Sequence, residues 1–383
     1  MRNEKNRYPV NKLFVLGAGA SFAASRQLRS STELPRKQSP LDKDFLIALK
    51  DIYEKAKRPQ WTKEAFSKVN QAWHNPRKLT EFGLEEAIIT QEGDYLIYRD
   101  IQESSGPPRI AFSEFLENLI FLISHHLYQC REKNNSSWAL YKEFVKEFFK
   151  RNSKNRIISF NYDIMLDEAL KTKKGGWQGI YPKTILEDSR QTRTQEYPLL
   201  LKLHGSINWR IDRVSFEKLL HGNISMDDYK KLKQIIGDKG ENLAKFASEK
   251  NRIRIDKIER KDEIIQGPDK NNSLPCIIPP IQSKPIVHIE QFRAMWDLAS
   301  EYLSKCNELY IIGYSLPETD ALASALFTAA KNNNLNKITI IDPDIETLGK
   351  WHKMLKNRNL KDKNGKAPEF HYLSDFADLF NRP

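Results

Sequence analysis

Apolar residues gather in short runs along the chain: Lys12 to Leu16, Arg156 to Phe160, Leu199 to Leu203, Cys276 to Ile278, Glu308 to Ile312 and Lys337 to Ile341. Most are continuously apolar rather than alternating, the pattern of parallel strands buried on both faces. Helical patterns separate several of them, after Ser21, over Ile164 to Leu170 and over Ala321 to Lys331. This alternation predicts an α/β fold, a doubly wound, Rossmann-like and mostly parallel sheet. Between the first two strands lies a mostly helical stretch, 45–150, read as an insertion domain. There Phe112, Phe115, Leu116, Leu119, Ile120 and Ile123 share one helix face, and a second helix is expected over Trp138 to Phe149. His125 and His126 fall on the first of these helices and are read as structural. Residues 1–44 and 151–383 are then the Rossmann-like domain, interrupted over 225–273 by a basic, Lys/Asp/Glu/Asn-rich excursion.

The first strand runs into Gly17-Ala18-Gly19-Ala20-Ser21, a glycine-rich turn of the kind that floors a dinucleotide phosphate. Gly17 is expected to take a positive φ and Gly19 to admit a pyrophosphate close to the backbone. A helix after Ser21 would aim its first amides at the same phosphates. A nicotinamide dehydrogenase is disfavoured, because G-x-G-x-x-G asks for glycine where Phe22 stands.

Later strands end in polar residues: Asn161 and Asp163 after the second, His204 after the third, Gly313, Tyr314 and Ser315 after the fifth, and Asp342 after the sixth. Ligands of open parallel sheets bind beyond the carboxyl ends of the strands, so these residues should meet near the glycine turn. Asp163 is equally suited to cap the helix that follows it. Asp342 precedes Pro343 and equally suits a turn.

Composition narrows the options. With 39% hydrophobic residues the chain can build a substantial core. Its apolar runs are too short to span a bilayer, and Met1 to Arg7 is charged rather than signal-like, so a soluble cytoplasmic protein is expected. Cys130, Cys276 and Cys306 are too few and too dispersed for a four-cysteine zinc site, and no metal is expected. The formal charge of +12 is scattered among acidic residues and comes with no nucleic-acid-binding motif, so contact with nucleic acid is expected only through a complex.

Gly17 to Ser21, Ser159-Phe-Asn-Tyr-Asp163, His204-Gly205 and Gly313-Tyr-Ser-Leu316 resemble, in order and spacing, the sirtuin fold. More closely they resemble the sirtuin-like NAD hydrolases of bacterial antiphage defence, as do Ile278-Pro-Pro280 with Lys284 and Gly313 to Asp320. The resemblance implies NAD as substrate, and a catalytic set of Asn161, His204 and Asp163. It also implies a nucleotide cradle of Gly17 to Phe22, Gly313, Tyr314, Ser315 and Asp342. Phe22 would close over nicotinamide. Breaking an N-glycosidic bond to a neutral leaving group needs a positioned water and a base rather than paired acids, roles that suit Asn161 and His204. The resemblance further implies a homo-oligomer controlled by a partner such as a HerA-like ATPase. An NAD-dependent protein deacylase is the runner-up, although Pro279 and Pro280 stand where the peptide-pairing strand would fall. A non-catalytic NAD or ADP-ribose sensor and a nuclease are the remaining alternatives.

Overall fold

A computed structural model describes residues 10–26, 42–53, 59–73, 77–101, 107–133, 139–149, 154–174, 180–182, 199–212, 216, 253–255, 273–278, 290–318, 320–329, 331–356 and 360–380. Most of the basic excursion, together with Pro279, Pro280 and Lys284, lies outside these residues. In chain order the elements are β1 (Val10–Leu16), α1 (Ala18–Arg26), α2 (Asp42–Tyr53), α3 (Gln60–Ala72), α4 (Leu84–Ile101), α5 (Pro107–Lys133) and α6 (Ala139–Phe148). Then come β2 (Arg156–Ser159), α7 (Met165–Lys174), β3 (Leu200–Lys202), β4 (Gly205–Asp212), β5 (Ile253–Ile255), β6 (Ser273–Ile277) and α8 (Glu290–Lys305). The last are β7 (Cys306–Ile312), α9 (Ala321–Ala329), β8 (Lys337–Ile341), α10 (Ile345–Lys356) and β9 (Glu369–Leu373). The chain forms two compact units: residues 1–41, 129–205 and 295–383 in the first, 42–128 and 206–294 in the second.

The first unit carries a six-stranded sheet of order β3-β2-β1-β7-β8-β9. Every neighbouring pair is parallel, with Val15 opposite Ile158 on one side and Ile311 on the other. This is a Rossmann-like α/β fold, and its strand order reverses between β1 and β7. Such a reversal opens a crevice at the carboxyl ends of the two strands. The apolar runs form strands because helices cover both faces. Phe14 is fully buried, meeting Phe144 edge-on at 4.9 Å and stacking on Tyr310 at 4.8 Å between ring centroids. Helix α6, which sequence alone groups with the insertion, thus packs its aromatic face on β1 in this unit.

The second unit holds α2, α3 and α4, the buried stripe from Phe112 to Ile123 on α5, and a three-stranded sheet of order β5-β4-β6. The strand expected at Cys276 to Ile278 is found here as β6, not in the parallel sheet. Pro275 cannot donate to a ladder, which suits β6 to the edge it occupies. His125 and His126 are core residues, with Tyr53 Oη 3.1 Å from His125 Nδ1 and Phe45 edge-on to His126. No described helix is long and apolar enough to cross a membrane.

Candidate functional site

The glycine turn sits at the strand-order reversal, but its glycines work differently from the expectation. Gly17 does not take a positive φ; among the described glycines only Gly205, Gly313 and Gly365 do. Gly17 is needed because a Cβ there would lie 2.5 Å from the Gly313 carbonyl oxygen and the Tyr314 Cα. The space bared by Gly19 is likewise filled by Gly313, whose Cα lies 2.8 Å from a Cβ built on Gly19. The ends of β1 and β7 therefore meet backbone against backbone. Gly17 N–H donates to Ile312 O and Gly19 N–H to Gly313 O, at 3.0 and 2.9 Å. Helix α1 starts at Ala18, earlier than expected, so Ser21 lies inside its first turns and the half-buried Phe22 follows on the helix.

Ser21 is the hub of a buried hydrogen-bond network. Its hydroxyl donates to Asp163 Oδ2 at 2.7 Å, which commits its single hydrogen. Asn161 Nδ2, at 3.1 Å, and Tyr141 Oη, at 2.9 Å, must then both donate to Ser21 Oγ. Burial, and after it the charge of Asp163, holds the Tyr141 phenol well above its ordinary pKa, in keeping with a fixed donor. Asn161 Nδ2 also donates to Gly17 O at 2.8 Å, and since a carbonyl can only accept, this settles which way the carboxamide faces. Both amide hydrogens are therefore engaged by the turn, and any role toward a ligand falls to Oδ1. Asp163 takes the capping role that sequence allows, Oδ1 accepting from Met165 N at 3.0 Å at the start of α7, while Oδ2 accepts from Ser21.

His204 follows β3, and the chain turns away at once through Gly205 at φ +79°. Its Nε2 lies 2.9 Å from Asp320 Oδ2, both side chains being buried. The Tyr314 hydroxyl donates to the same carboxylate oxygen at 2.8 Å, and Asp320 Oδ1 accepts from Ala323 N as a cap of α9. Phe160 joins the two halves of the site. Its ring stacks on Tyr314 at 4.1 Å and stands edge-on to His204 at 5.0 Å between centroids. Asn161, the next residue, reaches the glycine turn, so one short segment touches both the turn and the imidazole.

The remaining candidates divide. Tyr314 uses its side chain internally, with its ring on Phe160, its hydroxyl on Asp320 and its carbonyl accepting from Trp351 Nε1 at 2.6 Å. Its contribution to a ligand is thus confined to backbone. Ser315 is exposed beyond β7. Asp342 lies half-buried at the end of β8, its carboxyl pushed up by burial, and Oδ1 accepts from Asp344 N at 2.9 Å, the turn contact that sequence also allows. Among the described residues no group of three or more His, Cys, Asp and Glu is arranged to hold a metal ion.

Sequence reasoning passed over several members of this site. Asp320 was legible as an acid directly before a helix, but its bond to His204 crosses from one strand end to another. Tyr141 reads as helix core and is 120 positions from Ser21. Lys202 interrupts the run Leu199-Leu-Leu-Lys-Leu203, and a lysine within such a run signals a buried counter-charge; Asp167 supplies it, 3.3 Å away.

No protein-family model and no curated protein matches the chain. Among solved structures, the chain is similar to one described as the structural basis for the mechanism and regulation of Sir2 enzymes, at 12% identity and a TM-score of 0.25, covering 92% of this chain and 93% of that one.

Proposed function

We propose that the chain is an NAD glycohydrolase, which cleaves the nicotinamide–ribose bond with water to release nicotinamide, ADP-ribose and a proton. The observation that carries this reading is that Asn161 bonds to the glycine turn while Phe160, next to it in sequence, stacks on Tyr314 and stands edge-on to His204. The motif resemblance to sirtuin-like NAD hydrolases supplies the substrate class.

In this reading NAD lies across the crevice between the β1 and β7 ends, with the ribose of its adenosine toward Asp342. Nicotinamide departs neutral, so no acid has to protonate it. Charge develops at the anomeric carbon, and water attacks there. Asn161 Oδ1 holds that water or a ribose hydroxyl. His204 takes the proton, and Asp320, 2.9 Å from Nε2, stabilises the imidazolium that forms. General-base help of this kind contributes about 100- to 10,000-fold.

The same reading makes the protein a cytoplasmic defence enzyme that works as a homo-oligomer, is controlled through assembly with a partner such as a HerA-like ATPase, and depletes NAD. Purified protein incubated with NAD, with nicotinamide, ADP-ribose and cyclic products resolved by chromatography, tests the chemistry. Release of nicotinamide and ADP-ribose is expected, and loss of that release in His204→Ala. Turnover only with an acyl-lysine peptide would establish a deacylase instead, and binding without cleavage a sensor. A stable monomer with full activity by size-exclusion chromatography would overturn the assembly.

A further inference from the structure

Lys202 ends β3 with its side chain completely buried, at 0% exposure. Its ammonium donates to the backbone carbonyl of Asp163 and lies 3.3 Å from both carboxylate oxygens of Asp167, one turn into α7. Tyr181 donates its hydroxyl to Asp167 Oδ1. Burial pushes the Asp167 carboxyl up, and the charge of Lys202 is the largest influence opposing it.

Stability alone does not explain this cluster. Burying an ammonium and a carboxylate carries a desolvation penalty of several kcal/mol per ion, and apolar residues of similar volume usually serve the fold as well or better. What apolar residues cannot do is donate to a carbonyl. The carbonyl in question belongs to Asp163, in the short irregular link between β2 and α7 that carries Asn161 and Asp163 into the site. Ser21 and Met165 hold the Asp163 side chain; Lys202 holds its main chain.

We infer that Lys202, anchored by Asp167 and Tyr181, is a positioning residue that fixes the Asp163 peptide and so sets Asn161 and Asp163 for catalysis. The inference rests on the NAD hydrolase reading for its catalytic consequence, but not for its structural one. Two paired variants separate the roles. Lys202→Met/Asp167→Leu removes both charges and the donor; Lys202→Gln/Asp167→Asn removes the charges but keeps a donor for the carbonyl.

The apolar pair, which removes the donor to Asp163 O and the acceptor of Tyr181, is expected to fold but melt below wild type, to bind NAD with KM within about 3-fold, and to lose about 100-fold in kcat, the scale of a misplaced catalytic group. The amide pair should regain most of that loss. Hydrogen exchange over 161–165 should be faster in the apolar pair alone, with β3 and α7 protected as in wild type. Wild-type kcat and exchange in the apolar pair would overturn the inference, as would its failure to fold. A wild-type protein that leaves NAD intact would instead remove the functional reading, and the exchange measurement would still decide whether Lys202 sets the link.

Discussion

Nε2 of His204 lies 2.9 Å from Oδ2 of Asp320, joining the end of β3 to the start of α9 through a buried pair. An imidazole held this way has one tautomer and one orientation. Asp320→Asn keeps the shape and an oxygen able to cap α9, but loses the charge that stabilises the imidazolium. NAD turnover should fall about 100- to 10,000-fold, as for His204→Ala, with far-ultraviolet circular dichroism unchanged. The double variant should be little worse than either single one, because the two residues act as a unit. A substantially active Asp320→Asn enzyme would detach the acid from the mechanism.

Ser21→Ala removes the acceptor of Asn161 and Tyr141 together with the donor to Asp163. Leaving buried groups unpaired costs about 1–3 kcal/mol each before rearrangement, so chemical denaturation should show a loss of at least about 2 kcal/mol. The mutant should also lose NAD turnover, since the Asn161 carboxamide is then held by Gly17 alone.

Tyr141 carries a pH signature. Its phenol is held above the ordinary 10.0, so it keeps its proton in the folded protein after the unfolded chain has begun to lose it. A group raised in this way contributes stability that is complete below the unfolded pKa and declines as pH climbs toward the folded one. Tyr141→Phe should be less stable at neutral pH by about 1 kcal/mol, from the lost bond to Ser21. Its alkaline decline should be shallower than wild type, and parallel curves in thermal melts across pH would contradict the assignment.

Two glycines with opposite surroundings give a sharp contrast. Gly313 has φ +56°, and a Cβ there would sit 2.3 Å from Ala20 N and 2.4 Å from the Gly19 carbonyl carbon. Strain of about 1–2 kcal/mol and overpacking of about 1–3 kcal/mol should make Gly313→Ala severely destabilising. Gly349, within α10, has nothing near its Cβ position, so Gly349→Ala should stabilise by about 0.5–1 kcal/mol. Equal effects in urea titration would refute the close approach of β1 and β7.

The burial of Asp342 works against the fold. Its carboxyl is pushed up by burial, so ionising it at neutral pH works against folding, and that penalty fades as pH falls toward the carboxylate range. Asp342→Asn retains an oxygen for Asp344 N–H. It should melt above wild type at neutral pH, show no gain in acid, and bind NAD more weakly.

Much of this was legible in the chain. Continuous apolar runs located β1, β2, β3, β7 and β8 to within about two residues, because strands covered on both faces carry no polar register. Strand β9, Glu369-Phe-His-Tyr-Leu373, was not found: at the sheet edge it mixes exposed and half-buried positions and lacks the continuous run. β4 was hidden by the polar residues in Gly205-Ser-Ile-Asn-Trp-Arg-Ile-Asp212, several of them buried. The polar strand ends were readable as a group, since topology alone brings them to one edge. Which atoms they use was not: the donors of Asn161 are turned to Gly17 and Ser21, and the hydroxyl of Tyr314 to Asp320, by contacts between distant segments.

The central pairing of the sheet has a consequence for synthesis. Lys12 on β1 and Glu308 on β7 are bonded across 296 positions of sequence. At the usual pace of translation, about 5–20 residues per second, β1 waits on the order of 15 to 60 seconds for its neighbour to emerge. Until then one edge of an apolar strand stays open on the ribosome, where nascent chains are most prone to stick to one another. The crevice between the two strands is therefore completed late in the life of the nascent polypeptide, and a chain cut short before β7 can never acquire it.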